Sequence, residues 1–206
     1  MRELNLSNKN ITNDALQLMH FDEDITLIDL SRNQIQNLDN VRFPDGLREL
    51  SLGNNQIQNL ENVRFPDGLH ILYLYGNQIQ NLDNVRFSDE LQELWLSSNQ
   101  IKNLDNVRFP DGLQVLSLYG NHIKSVDKCW ISPSTRITAD DSIKTAIRES
   151  TRNMAATRIQ QNFRRYLIRH HNAALTIQKW YVAQSYRTKG VVFRNSMEQY
   201  PSGSHI

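Results

Sequence analysis

The 22 residues Leu47–Gly68 read LRELSLGNNQIQNLENVRFPDG, and this phrase decides the fold because the chain repeats it. Copies begin at residues 25, 47, 69, 91 and 113, so the period is 22 residues. Each copy has Leu or Ile at its first, fourth and sixth positions, and the last two of these alternate with other residues, as a half-buried β-strand requires. About 13 residues then return the chain to the next strand, which is too short for a full helix.

An asparagine follows each strand phrase, where it is expected to turn the chain and to satisfy backbone groups inside the bend. The Ile two residues later and the Leu after it are expected to point inward, and the Phe residues of the return segments are expected to stack. The predicted structural asparagine ladder consists of Asn33, Asn55, Asn77, Asn99 and Asn121. Lys9 stands in this position of an imperfect first copy, which indicates a capping coil.

No single coil can bury its own apolar face, so the coils must stack into one continuous core. An amphipathic helical repeat is disfavoured because the apolar period within each phrase is two. The repeats resemble the leucine-rich-repeat family. The resemblance implies an α/β solenoid, a leucine-rich-repeat arc with a parallel sheet of about 5–6 short strands, followed by a long basic α-helix. The predicted domains are 1–130 for the repeats with a cap coil at 1–24, 131–150 for a capping or linker segment, 151–189 for a helix, and 190–206 for a flexible tail.

The residues between the inward positions of the strands are expected to form the concave surface. Aromatic residues gather there in neighbouring coils, and these residue types are enriched at protein interfaces. The predicted interaction face comprises Ile71, Tyr73, Tyr75, Trp95, Val115 and Tyr119. The alternative is that these side chains only stabilise packing between neighbouring strands.

The 206 residues include 23 basic and 22 acidic residues and carry a net charge of +1, but the charge is unevenly placed. Residues 1–128 carry a net charge of −7, and residues 129–206 carry +8. No Pro or Gly occurs from Ala139 to Lys189, and Gly190 is a natural helix stop. The sequence therefore predicts a basic helix from about Asp141 to Thr188, and near-neutrality does not exclude an electrostatic partner.

Two similar phrases lie in this helix, AATRIQQNFRRYLIR at 155–169 and AALTIQKWYVAQSYR at 173–187. They resemble the IQ motif, which binds calmodulin and calmodulin-like EF-hand proteins. Arg165 and Ala183 stand where the motif usually has Gly, and Val182 replaces the middle Arg of the second copy, so calcium dependence stays open. The calmodulin-binding residues that the resemblance implies are Ile159, Gln160, Phe163, Arg164, Ile168, Arg169, Ile177, Gln178, Tyr181, Tyr186 and Arg187.

The expected mode of binding is an apolar helix face in a groove, with the flanking basic residues attracting an acidic partner. Ile159, Phe163 and Ile168 are expected to lie close to one side of the helix. The 18 residues between Ile159 and Ile177 make five turns, about 27 Å. Tandem IQ motifs are usually spaced somewhat wider, so the resemblance favours one calmodulin on the first phrase over two. The alternatives are that the basic helix binds RNA or an anionic membrane, or docks on the acidic repeat domain.

The remaining sequence features argue against an enzyme, so the two resemblances together imply a non-enzymatic adaptor protein. No catalytic constellation, phosphate-binding loop or cofactor motif is present, and adjacent His170 and His171 would point about 100° apart on a helix, which disfavours a metal site. The lone Cys129 indicates a reducing compartment and is expected to be buried. With no apparent signal peptide or membrane span, the expected location is cytoplasmic.

Overall fold

The computed structural model describes residues 2–61 and 63–188, apart from the side chains of residues 172–174, 177, 178 and 180–188. Seven short strands form one parallel sheet in which the spatial order follows the chain order. The strands are β1 (Arg2–Asn5), β2 (Ile25–Asp29), β3 (Glu49–Ser51), β4 (Ile71–Tyr73), β5 (Glu93–Trp95), β6 (Val115–Ser117) and β7 (Arg136–Thr138). The helices are α1 (Asn13–Gln17) and α2 (Asp141–Thr188).

The core forms where the inward positions of successive strands stack in register. Leu50, Leu72 and Leu94 are direct partners across β3, β4 and β5, and all three are fully buried. Burying each such side chain stabilises the fold by about 1.5–3 kcal/mol. Because every coil adds the same apolar positions, one continuous core runs along the repeats. The fold is a solenoid of stacked coils on one parallel sheet, as the sequence predicts.

The asparagine ladder joins each coil to its neighbours, as Asn77 illustrates. Its Nδ2 donates to the carbonyl oxygens of Leu52 and Leu74, both at 3.0 Å, so one amide group bridges two coils. Its Oδ1 accepts from the backbone N–H of Ile57 at 3.0 Å. Asn33, Asn55, Asn99 and Asn121 make the equivalent bonds. The ladder therefore satisfies backbone groups in neighbouring coils.

Among the residues that the structure describes, the return segments between β2 and β7 contain turns and no helix. In the first return the Val41 N–H donates to the Leu38 carbonyl at 3.2 Å, and Asn40 between them has a φ of 62°. A left-handed residue at this turn position suits asparagine, which tolerates positive φ. The expected phenylalanine stack is present, with ring centroids 6.4 Å apart for Phe65 and Phe87.

The sheet has one strand more than the upper limit of the predicted 5–6, because both ends of the solenoid are built from atypical sequence. At the first end, the short α1 fills the return of the cap coil and buries Leu16. At the other end, β7 adds a strand with a single inward residue, Ile137. The opening turns of α2 follow it and bury Ile147 completely.

The chain divides into two compact units, Met1–Ala155 and Ala156–Ile206. The helix α2 has the bounds that the absence of Pro and Gly predicts, and its first 15 residues belong to the repeat unit. The predicted flexible tail at 190–206 lies outside the described residues. Among the residues that are described, no helix combines the length and apolarity needed to cross a membrane.

Candidate protein-interaction sites

The first candidate site is the sheet outer face, which we define as the strand side chains turned away from the core between β1 and β6, together with the row that follows the strands. The strand register aligns these side chains into ladders. One ladder contains Leu27, Glu49, Ile71, Glu93 and Val115, and the next contains Asp29, Ser51, Tyr73, Trp95 and Ser117. The following row contains Ser31, Gly53, Tyr75, Ser97 and Tyr119, joined by backbone hydrogen bonds between neighbouring coils. These are the ladders that the repeat register predicts.

Three aromatic rings form a cluster on this face. The ring centroids of Tyr73 and Trp95 are 6.1 Å apart, and those of Tyr73 and Tyr75 are 6.3 Å apart with an edge-to-face angle of 78°. The Trp95 indole N–H donates to the Glu93 carboxylate at 3.0 Å. Tyr75 lies over Gly53, where a Cβ would come within 2.5 Å of the ring. The missing side chain of Gly53 therefore makes room for Tyr75.

The predicted face residues differ in how much surface they offer. Ile71, Tyr73, Tyr75 and Trp95 are half-buried and lie on neighbouring strands or directly after them. Tyr119 is 62% exposed. Val115 is buried, and it offers a partner little surface. The available surface is thus centred on β4 and β5.

Carboxylates surround the aromatic cluster and were not part of the predicted site. A cavity of about 290 Å³ lies over β1–β4, lined by Glu3, Asn5, Leu27, Asp29, Glu49, Ser51, Tyr73 and Tyr75. Partial burial raises the pKa of the Glu49 carboxyl above its ordinary value, because the charged form loses hydration. The negative charges of Glu3, Glu93 and Asp29 raise this pKa further. The alternation of acidic residues along the ladders was the sequence signal for this feature.

The same environment acts on the neighbouring phenol. Burial raises the pKa of Tyr73 above its ordinary value, and the charges of Glu49 and Glu93 add to the increase. Tyr73 therefore keeps its hydroxyl proton at neutral pH and presents a neutral ring beside negative carboxylates. A face of this composition is suited to a positively charged ligand group.

The second candidate site is an exposed apolar surface on α2. Ile159 is 69% exposed, Phe163 59% and Tyr166 56%. At 3.6 residues per turn, Phe163 lies about 40° and Tyr166 about 20° from Ile159, on opposite sides of it. These three residues form one stripe, which we call the helix apolar stripe. Leu167, about 80° from Ile159, widens it on one side.

Ile168 does not belong to this stripe, contrary to the expectation that it shares a side with Ile159 and Phe163. The helix is continuous from Asp141 to Thr188, so the nine residues between Ile159 and Ile168 place Ile168 about 180° away. Tyr166 takes the third place instead. Its ring packs against His170, with centroids 4.0 Å apart. The i, i+4, i+7 spacing was the signal that would have identified Tyr166.

Basic residues line one edge of the helix apolar stripe. Arg158, Arg165 and Arg169 have the spacing i, i+7, i+11, and helix geometry places them about 80–120° from Ile159 on one side. All three side chains are exposed. Gln160 and Arg164 are also exposed but lie about 100° and 140° away on the other side. The resemblance to the IQ motif predicts Arg164 and Arg169 as binding residues, and of these two only Arg169 lies in this row.

The second IQ-like phrase lies within α2, and the predicted residues in it are outside the described side chains. These residues are Ile177, Gln178, Tyr181, Tyr186 and Arg187. Their backbone continues the helix through Thr188. The described site on this helix is therefore the first phrase.

Cys129 lies in neither site. The side chain is fully buried at the end of the repeats, as the sequence predicts. Burial, together with the negative charge of Asp105, raises the pKa of the Cys129 thiol to about 12. A thiol with this pKa is protonated at neutral pH and is a poor nucleophile.

The chain matches no protein-family model, and no curated protein matches it. Among solved structures, YopM from Yersinia enterocolitica WA-314 aligns with a TM-score of 0.45 at 20% identity over 59% of this chain. An internalin, inlF, from Listeria monocytogenes str. 4b F2365 aligns with a TM-score of 0.38 at 20% identity over 57% of this chain. The chain spans 30% of the first structure and 48% of the second.

Proposed function

We propose that the protein is an adaptor that binds a protein partner through the sheet outer face and calmodulin, or a calmodulin-like EF-hand protein, through α2. The observation that carries the second part is the helix apolar stripe, Ile159, Phe163 and Tyr166, with more than half of each side chain exposed. The row of arginines beside it adds the charge that an acidic partner requires. Both features support insertion of the helix into an apolar groove.

The double variant Ile159→Asp, Phe163→Asp tests this part of the proposal. Each substitution places a negative charge on the stripe, so calmodulin capture should be lost in both the presence and the absence of calcium. The control Gln161→Asp, His171→Asp adds the same number of carboxylates at exposed positions about 200° and 120° from Ile159. The control should retain capture. Undiminished capture by the stripe variant would remove this helix surface from the proposal.

A second candidate function for α2 is binding to RNA or to anionic membrane. The row formed by Arg158, Arg165 and Arg169 favours it, since three aligned guanidinium groups can contact successive phosphates. Raising the salt concentration separates the two functions. Phosphate binding should weaken steeply with salt and survive the loss of Ile159 and Phe163, whereas groove binding should depend on both residues.

The sheet outer face is proposed to bind the other partner of the adaptor. Tyr73, Tyr75 and Trp95 support this role because half-buried aromatic clusters contribute most of the binding energy at many interfaces. The variant Tyr73→Ala, Trp95→Ala should lose a partner captured from cell extract and retain calmodulin. A partner set that is unchanged in this variant would argue that the cluster only stabilises the sheet.

A further inference from the structure

The sheet outer face carries a group of carboxylates beside its aromatic rings. Four carboxylates, from Glu3, Asp29, Glu49 and Glu93, lie on β1, β2, β3 and β5. The strand register places three of them, on Glu3, Glu49 and Glu93, in a single ladder. Neighbouring strands are about 4.8 Å apart, so the charges are close enough to act together.

These carboxylates are not neutralised by ion pairs within the described part of the chain. The ion pairs found there involve other acidic residues. Asp29 accepts the Ser31 backbone N–H at 2.9 Å, and Glu93 accepts the Trp95 indole N–H at 3.0 Å. Arg136 joins this ladder on β7, two strands or about 10 Å beyond Glu93 and four strands or about 19 Å beyond Glu49. At physiological salt its charge is therefore largely screened from Glu49.

The aromatic rings provide the second part of the arrangement. Tyr73 and Tyr75 line the same 290 Å³ cavity as Glu3, Asp29 and Glu49. Ring faces attract cations, and a guanidinium group can stack on an aromatic ring while its N–H groups bind a carboxylate. An ammonium group lacks this planar fork, so the combination of ring and carboxylate favours arginine over lysine.

We propose that the sheet outer face is a docking surface for an arginine-bearing segment of a partner protein, with one guanidinium group entering the cavity beside Tyr73 and Tyr75. This inference rests on the proposed partner-binding role of this face and specifies the chemistry of the partner. The carboxylates would neutralise the guanidinium charge. Tyr73 and Tyr75 would contact its planar faces, and Trp95 would extend the apolar surface beneath the rest of the segment.

The probe is the peptide acetyl-Gly-Gly-Arg-Gly-Gly-amide, titrated into the full-length protein. The matched probe has citrulline in place of arginine, which keeps the shape of the side chain and removes its charge. NMR follows the indole N–H of Trp95, identified by its loss in Trp95→Phe. The arginine peptide should shift this signal saturably, and the citrulline peptide should bind about tenfold more weakly.

Glu49→Gln tests the same site from the protein side, because it removes one charge with almost no change in shape. The substitution should weaken binding of the arginine peptide about three- to tenfold. Asp83→Asn makes the same chemical change at an exposed position in a return segment, and it should leave binding unchanged. Circular dichroism of both variants establishes that any loss of binding is not a loss of folding.

Equal binding of the arginine and citrulline peptides, or unaltered binding to Glu49→Gln, would overturn the inference. The proposed function would still stand if a protein partner were lost on Tyr73→Ala, Trp95→Ala under those conditions, since the face would then bind a partner of different chemistry. Conversely, a failure of the protein to bind calmodulin would not affect the test with the arginine peptide, because calmodulin is proposed to bind α2 and not the sheet outer face. Shifts that grow with protein concentration without peptide would identify a second copy of the chain as the occupant and would also overturn it.

Discussion

One asparagine in each of the five regular repeats satisfies backbone groups that the bend would otherwise leave unpaired. Asn77 is buried, and its side chain serves the carbonyl groups of Leu52 and Leu74 and the N–H of Ile57. A buried carbonyl or N–H without a partner costs about 1–3 kcal/mol. The side chain is therefore as important to stability as a core leucine, although it is polar.

Replacement of Asn77 by Ala should lower the free energy of unfolding by about 3 kcal/mol, because several buried backbone groups lose their partner together. Urea denaturation followed by circular dichroism measures the change. The control is Asn81→Ala, since Asn81 is exposed and accepts a single bond of 3.3 Å from the Asp83 N–H. A loss at Asn77 no larger than the loss at Asn81 would contradict the role assigned to the ladder.

Glu49 links stability to pH because it is partly buried and lies among other acidic residues of the sheet outer face. Its pKa is raised above 4.5 by burial and by Glu3, Glu93 and Asp29, so the folded state binds this proton more readily than the unfolded state. Ionisation of Glu49 therefore costs stability, and the cost is complete above the raised pKa. Below 4.5 the group is protonated in both states, and the cost disappears.

Glu49→Gln should consequently raise the melting temperature slightly at pH 7, and the difference from the unmodified protein should vanish as the pH falls through the interval just above 4.5. Thermal denaturation at a series of pH values measures this, with Asp83→Asn as the reference substitution. A difference that stays constant, or that grows toward acid pH, would show that the folded state does not raise the pKa of Glu49.

At the scale of elements, the solenoid needs closed ends because an open coil would expose its core. The first turns of α2 close one end, with Ile147 fully buried and Ile143 packed on the core, and Ala139 just before the helix is buried as well. Thr135 supports the same end, since its hydroxyl donates to the Leu113 carbonyl at 2.7 Å. The helix therefore begins as part of the repeat unit, and only its later residues form a separate unit.

Ile147→Ala should reduce the free energy of unfolding of the repeat unit by about 2–4 kcal/mol, as expected for a large-to-small change in a core. Arg148→Ala is the control because Arg148 is adjacent and exposed. Chemical denaturation measures both variants. If the two variants were equally stable, α2 would not be the cap of the repeats.

The extent to which elements could be predicted depends on how strictly the sequence repeats. Five near-identical phrases gave β2–β6 and the asparagine ladder, because each position has one structural role repeated at a fixed interval. The strands β1 and β7 and the helix α1 lie where that interval breaks. A segment such as Arg136–Thr138 contains one inward residue and becomes a strand through its contacts with β6 and α2 rather than through its own pattern.

The sequence predicts some residues of the candidate sites correctly and misses others. The strand period alone placed Tyr73 and Trp95 side by side, and the register confirms the placement. The burial of Val115 could not be predicted, because it depends on what covers the face near β6. On α2, the motif resemblance favoured Ile168, whereas the geometry of a continuous helix selects Tyr166.

At the scale of the whole molecule, the near-zero net charge of +1 conceals two regions of opposite sign. The sheet outer face is acidic and aromatic, and the helix apolar stripe is flanked by arginines. Their chemistry suits different partners, as the proposed adaptor function requires. The two surfaces should therefore act independently, and each should respond to its own substitutions.

Hydrogen exchange of the full chain, with and without calmodulin, tests this account most directly. Calmodulin should slow exchange at the amides of residues 156–171 by at least about tenfold, since a bound helix opens less often. The amides of β3, β4 and β5 should be unchanged. Slower exchange confined to those strands, or no change in the helix when calmodulin is saturating, would contradict the account.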